Sequence, residues 1–294
     1  MEQGRIIRSL SGFYDVDDGQ KIVRCRAKGS FRQKKITPLV GDEVRFVPEG
    51  RIEEILPRRN RLTRPPVANV DQAVLVFAAI YPEPHPMLLE RFLVMVRTQG
   101  IRPVICLNKW DQTRETEETL AASLAETYRR AGFDVLCTST RTGEGIQELK
   151  ERLSGRVSVL AGPSGVGKSS LLNALIPGVR LETGDLSEKI QRGKNTTRCA
   201  QLLRLEEEEG FVADTPGFTS LRLEDVTSET LSEAYPEFEP YKLTCYFPLC
   251  SHVSEPDCGV RRAVEAGQIV RERYEGYLAL WRELKAEEQQ ETTK

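Results

Sequence analysis

The sequence predicts an α/β fold with a small β-barrel ahead of it and a metal-binding helical module behind it. Three features predict this. Short β-rich runs lie between turn signals in residues 5–55, and near-continuous apolar runs alternate with helical segments in residues 72–175. Three of the seven cysteines and one of the two histidines crowd into residues 245–258. At 294 residues the chain is about twice the usual domain size of roughly 150. Its 39% hydrophobic and 29% charged content excludes a disordered chain.

The longest apolar run, 73–80, falls far short of the roughly 20 residues a membrane span needs. The opening Met-Glu-Gln-Gly lacks the basic-then-apolar pattern of a signal peptide. Neither export nor membrane insertion is expected. Cys25, Cys106, Cys137 and Cys199 are scattered singly, as in a reducing cytoplasm.

In the N-terminal part, strands are expected at 5–8, 22–27, 44–47 and 52–55, between Asp17-Asp18-Gly19, Lys28-Gly29-Ser30 and Gly41-Asp42. Strands this short and regularly spaced imply an OB-like barrel, a fold that binds oligonucleotides. Phe13, Tyr14, Phe31 and Phe46 are either its core or stacking faces for bases. Residues 1–66 hold 15 Lys/Arg against 9 Asp/Glu, a charge of +6, while the remainder holds 27 against 35, a charge of −8. The basic part suits a polyanion such as RNA, although a basic surface has no need of one. The proline-bounded basic run 57–66 reads as a linker, with a boundary near residue 67.

Beyond it, apolar runs at 72–80, 103–107, 134–137 and 157–161 interleave with helical segments at 87–99, 117–131, 146–153 and 168–175. Continuously apolar strands separated by helices specify a parallel sheet covered on both faces. A last helical segment, 260–284, carries Val270, Tyr274, Tyr277, Trp281 and Leu284 on one face. Glu206 to Glu209 read as a solvated hairpin tip. Three parts follow: a barrel at 1–66, a sheet domain at 67–222 and a metal-binding module at 223–294.

The run 157–161 leads into Gly162-Pro163-Ser164-Gly165-Val166-Gly167-Lys168-Ser169-Ser170 and then a helix, which is GxxxxGKS in its strand-loop-helix context. Glycines let backbone N–H groups turn toward phosphates, Lys168 reaches the β- and γ-oxygens, and Ser169 ligates Mg²⁺. The chain is expected to bind a nucleoside triphosphate. Downstream, Asp214-Thr215-Pro216-Gly217 ends an apolar run, placing Asp214 to hold Mg²⁺ through water and the Gly217 N–H near the γ-phosphate. Between them lies a polar stretch with Asn195, Thr196 and Thr197, and either threonine could close over Mg²⁺. The catalytic set is therefore Lys168, Thr196, Thr197, Asp214 and Gly217.

Base choice is carried by Asn108-Lys109-Trp110-Asp111 at the end of an apolar run. Asp111 would accept from guanine N1–H and the 2-amino group, a pairing that adenine does not offer. The backbone around Ser139 and Thr140, after the next strand, would hold guanine O6. GTP and GDP are the expected ligands. These base-reading motifs precede the phosphate loop, the reverse of the usual GTPase order, so the domain reads as a circularly permuted GTPase. Permutation frees the segment after Gly217 to lead into the added module.

Cys245-x4-Cys250-x-His252-x5-Cys258 places three thiols and an imidazole in fourteen residues, a Cys₃His set suited to structural Zn²⁺. Four protein ligands leave no open position for catalysis. His85, between Pro84 and Pro86, reads as a loop residue.

A barrel, a permuted GTPase and then this cysteine–histidine cluster, in this order and over essentially the whole chain, resemble the RsgA family of ribosome small-subunit-dependent GTPases. The resemblance implies late maturation of the small ribosomal subunit, hydrolysis stimulated by that subunit, and rRNA contacts from the barrel and zinc modules. A monomer is expected. The family commonly has histidine before the paired threonines, where this chain has Asn195, and Phe218 replaces the glutamine that orients water in Ras-like enzymes. Slow intrinsic turnover is therefore expected. The alternative is a GTP-switched rRNA-binding placeholder with vestigial hydrolysis. A nucleotide or metabolite kinase is disfavoured by the guanine-reading motif.

Overall fold

The computed structural model describes residues 1–63, 66–115, 119–176, 201–205, 210–214, 223 and 226–292. The N-terminal part contains β1 (Glu2–Leu10), β2 (Phe13–Asp17), β3 (Ile22–Ala27), α1 (Gly29–Gln33), β4 (Glu43–Val47) and β5 (Arg51–Ile55). Pairing runs β1-β2-β3-β5-β4 and returns to β1, which closes a five-stranded barrel. Only β3 and β5 are parallel within it. Alternate residues point inward, so Ile6, Val16, Cys25, Val44, Phe46 and Ile52 are wholly buried. The sequence reading had no strand at Phe13–Asp17, because two aspartates interrupt its apolar pattern. Asp15 is paired across the ladder with Arg24 at 2.8 Å, and the Asp17 carboxylate accepts the Gly19 N–H at 2.8 Å.

Tyr14, Phe31 and Phe46 are core. Phe13 stays half-buried, with the Arg26 guanidinium 4.6 Å from its ring centroid. The basic run expected to be a linker is tied down where it is described. Arg58 donates to both Asp42 carboxylate oxygens, at 2.6 and 2.8 Å, and Arg59 donates to Asp71 at 2.7 Å. Short strands β6 (Arg61–Leu62) and β7 (Val67–Ala68) pair, burying Leu62 and Val67.

The central sheet contains β8 (Gln72–Ala78), β9 (Arg102–Asn108), β10 (Asp134–Cys137), β11 (Val157–Ala161), β12 (Gln201–Arg204) and β13 (Phe211–Asp214). Its order is β10-β9-β8-β11-β13-β12, parallel throughout except for β12. All seven residues of β8 are buried, as a strand covered on both faces requires. Helices α2 (Pro86–Thr98) and α3 (Leu120–Arg130) pack one face against Leu75, Phe77, Ile105 and Leu107. Helices α4 (Ile146–Leu153) and α5 (Lys168–Leu175) pack the other against Val74, Val76, Cys106 and Leu160. The chain runs outward through β8, β9 and β10, then returns to lay β11 on the other side of β8. That reversal opens a crevice at the carboxyl ends of β8 and β11, where open α/β sheets bind ligands.

Barrel and sheet are continuous. Arg8 of β1 pairs with Gln201 of β12, and Arg204 reaches Asp17 at 3.4 Å.

The C-terminal module holds α6 (Glu239–Lys242), α7 (Gly259–Glu265) and α8 (Arg271–Thr292). One helix was expected over 260–284, but the chain breaks it in two. Gly267 adopts φ +70°, its N–H reaches Val264 O, and the Gln268 N–H reaches Ala263 O. This left-handed cap satisfies the last carbonyls of α7 and turns the chain into α8. Of the predicted stripe, Val270, Tyr277 and Leu284 are buried while Tyr274 and Trp281 are half-buried.

Candidate nucleotide and metal sites

The phosphate loop leaves β11 and enters α5. Gly162 has φ +144°, and a Cβ there would lie 2.0 Å from Val76 O; Gly167 has φ +96°, and a Cβ there would lie 2.4 Å from Asn108 Nδ2. Only glycine fits either position. The Lys168 ammonium donates to Gly162 O at 2.9 Å and to Pro163 O at 2.6 Å, which holds it inside the loop's curve. Ser169 and Ser170 follow in the first turn of α5, half-buried. Ser164 and Gly165 are exposed at the tip, and Val166 is buried beneath it.

The segment Asn108–Asp111 is wired to this loop. Asn108 ends β9 fully buried, its amide donating to Val166 O at 2.9 Å and its carbonyl accepting from the Thr138 hydroxyl at 3.2 Å. The Lys109 ammonium bridges Tyr81 O and Gly165 O, both at 2.7 Å. Spacing arguments gave Asn108 and Lys109 to the nucleotide; in the structure each also fastens one loop to another.

Asp111 sits in a short 3-10 turn, nearly buried. Its Oδ1 accepts from the Ser139 hydroxyl at 2.5 Å, and its Oδ2 pairs with Arg141 at 2.7 Å. The Ser139 hydrogen bond first, opposed by burial and then aided by the Arg141 charge, holds the Asp111 carboxyl below its usual value. Asp111 is thus kept ionised, a pure hydrogen-bond acceptor. The Ser139 hydroxyl and Arg141 were not legible in these roles, because no sequence spacing shows that the turn after β10 folds against Asp111. Thr140 lies in that turn, half-buried.

Asp214 closes β13 next to β11, so its backbone stands beside the phosphate loop strand. Thr196, Thr197 and Gly217 lie outside the described residues, as do Asn195 and Phe218 and the acidic run 206–209.

The four cysteine and histidine donors form a second cluster, all within 4.8 Å of one another. Cys245 Sγ lies 3.6 Å from His252 Nδ1 and 3.9 Å from Cys258 Sγ, and Cys258 Sγ lies 3.5 Å from His252 Nδ1. Tetrahedral Zn²⁺ with bonds of about 2.3 Å to sulfur and 2.0 Å to nitrogen separates its donors by roughly 3.5–3.8 Å. The donor set fits zinc. His252 has φ +60°, its carbonyl accepts from the Tyr274 hydroxyl at 2.7 Å, and its ring packs edge-on against Phe238. Without a cation, burial raises the Cys250 thiol to about 12, a cost that metal ligation reverses. His85 is a loop residue whose carbonyl accepts the first N–H groups of α2.

Two family models match the chain up to residue 224, the RsgA N-terminal domain at residues 3–53 and the RsgA GTPase at residues 55–224. This chain belongs to the RsgA GTPase family. The small ribosomal subunit biogenesis GTPase RsgA of Caldanaerobacter subterraneus subsp. tengcongensis is 49% identical over 290 residues, 97% of each chain. That of Geobacillus thermodenitrificans is also 49% identical, over 97% of this chain and 98% of the relative. The crystal structure of YjeQ from Thermotoga maritima superposes with a TM-score of 0.83 at 38% identity, covering 96% of this chain and 98% of that one. YloQ, described as a circularly permuted GTPase, gives 0.80 at 38% identity over 98% and 96%. As an RsgA-family member the chain is a GTP-hydrolysing enzyme on a permuted GTPase fold. No helix among the described residues is long and apolar enough to cross a membrane.

Proposed function

We propose that this chain binds the small ribosomal subunit in the cytoplasm, assists its late maturation, and hydrolyses GTP when that subunit stimulates it. The observation that carries the reading is that Asn108 and Lys109 bond directly to the phosphate loop, in the same short segment whose Asp111 is held charged by Ser139. The relatives, named small ribosomal subunit biogenesis GTPases over nearly their full length, supply the partner. The basic barrel, with Arg26 laid over the half-buried Phe13, supports contact with rRNA.

In this reading Gly162 to Ser170 cradle the phosphates, Lys168 neutralises charge on the transferred group, and Asp111 with the Ser139–Thr140 turn selects guanine. Ser169, Asp214 and one of Thr196 or Thr197 would hold Mg²⁺, which bridges phosphate oxygens and offsets their charge. The Gly217 N–H would face the γ-phosphate. The Cys₃His cluster would hold one structural Zn²⁺, and the working unit is a monomer.

Asn195 and Phe218 provide no evident base or water-positioning group, so intrinsic turnover is slow and the subunit completes the site. The same two residues favour the second reading, a GTP-switched placeholder on rRNA. GTP hydrolysis measured with and without purified small ribosomal subunits, with Lys168→Ala as the blank, separates them. Strong stimulation by the small subunit alone supports the partner-activated enzyme. Intact GTP binding without stimulation leaves the placeholder.

A further inference from the structure

Asp111 has a protein partner on each carboxylate oxygen, and the two partners differ in freedom. Ser139, on Oδ1, is wholly buried and pinned. Its N–H reaches Glu144 O at 2.9 Å, and its hydroxyl accepts from the Arg141 and Thr142 N–H groups at 3.3 and 3.2 Å. Arg141, on Oδ2, has a side chain 78% exposed, against 5% for that of Asp111. Its guanidinium reaches in from solvent to a carboxylate that solvent barely touches. An exposed cation in one ion pair is held by a modest free energy, and it can leave without disturbing the core. Ser139 is fixed to Asp111, whereas Arg141 is removable.

Guanine would bring two donors, N1–H and the 2-amino group, to the same two oxygens. On Oδ1 a base donor shares an acceptor with one neutral hydroxyl, and an oxygen has lone pairs for both. On Oδ2 it competes with a charge-assisted hydrogen bond, the stronger kind. Only 5% of the Asp111 side chain is open with Arg141 in place, so a base edge gains the carboxylate by taking the guanidinium's position.

We propose that Arg141 is an exchange latch: it competes with guanine for Asp111 Oδ2, yields as the base binds and retakes the carboxylate as the base leaves. This rests on Asp111 being the guanine acceptor, as proposed above. Two effects follow. On arrival guanine must displace a charge-assisted hydrogen bond, which slows association. On departure the nearly buried carboxylate passes to Arg141 instead of being left unpaired, which lowers the cost of release. Guanine nucleotide is therefore held less tightly, and exchanged faster, than its other contacts alone would give.

Stopped-flow binding and release of a fluorescent GDP by the full chain test this, with Arg141→Met, which keeps an unbranched stem and removes every side-chain donor. The variant is expected to bind faster and release more slowly, so that the Kd for GDP falls about three- to fivefold, the worth of one exposed ion pair. A merely damaged turn would not speed association. Unchanged rates overturn the proposal. So does faster release with unaltered association, the behaviour of a side chain that clamps the bound base. Asp111→Asn separates the latch from the reading beneath it, because its amide sets a donor against the donors of guanine. If Asp111 accepts guanine, that variant loses GDP affinity about 100-fold. Retained affinity would overturn the role of Asp111 and take the latch with it. Lost affinity in Asp111→Asn together with wild-type rates in Arg141→Met would overturn the latch alone.

Discussion

Glu90 in α2 and Arg273 in α8, 183 residues apart, form an ion pair whose side chains are only 3% and 1% exposed. Arg273 also donates to Glu237 at 2.7 Å, and its guanidinium lies 4.4 Å from the Tyr235 ring centroid and 4.9 Å from that of Phe133. The Tyr128 hydroxyl donates to Glu90 at 2.7 Å and that of Tyr235 at 3.2 Å. Burial opposes the charge on Arg273, but Glu90 and Glu237 more than offset it and hold the guanidinium protonated. This network fastens the C-terminal module to the GTPase sheet.

Breaking such a pair leaves an uncompensated buried charge. Arg273→Met is therefore expected to destabilise the protein by about 3–5 kcal/mol, while Glu90→Leu combined with Arg273→Met costs less than the two single changes added. Urea unfolding of the four proteins checks this, and strict additivity would contradict it.

Gly167→Ala is expected to lower GTP affinity about 10- to 100-fold. The new Cβ meets Asn108 Nδ2 at 2.4 Å at a φ of +96°, so the Asn108 bond to Val166 O is lost or the loop shifts. Titration with a fluorescent GDP reads the change, and Gly29→Ala in the barrel, where a Cβ meets nothing within 4 Å and the backbone is not left-handed, serves as control.

If Asp111 reads guanine as proposed, the pH dependence of GTP binding follows from its carboxylate. Its depressed pKa means that the charged form persists to lower pH than in an ordinary carboxylate, so affinity is retained at neutral pH and its acid limb is displaced downward. Ser139→Ala removes the largest stabilising contact on the anion. The acid limb of GTP affinity then moves to higher pH, with about tenfold weaker binding at neutral pH from one charge-assisted hydrogen bond. An unmoved acid limb would show that Ser139 does not act through Asp111.

Metal analysis is expected to find one zinc per chain in the wild type and none in Cys258→Ser. Because ligation stabilises the folded module, chelation should add a separate low-temperature unfolding transition while fluorescent GDP still binds. A single unchanged transition after complete zinc loss would refute a structural metal.

Much of this protein can be read along the chain. Local periodicity places α4, α5, β10 and β11, since each is a short segment whose apolar spacing is set by its own burial. The phosphate loop, Asn108 to Asp111 and the cysteine–histidine cluster are contiguous motifs, so their chemistry is written in neighbouring residues. Their reversed order alone points to permutation.

Other features exist only because distant segments meet. The strand Phe13–Asp17 depends on Arg24 and Arg204 to neutralise its aspartates, and the basic run after residue 57 is anchored by Asp42 and Asp71. Ser139 becomes the orienting partner of Asp111, and Glu90 meets Arg273, through packing that no spacing encodes. The sequence by itself determined the succession of barrel, permuted α/β sheet and clustered cysteine–histidine donors, because these rest on local pattern and residue chemistry. Only the tertiary structure decided which side chains hold those motifs in place, because a buried charge or carbonyl takes its partner from whichever segment the fold brings within hydrogen-bond reach.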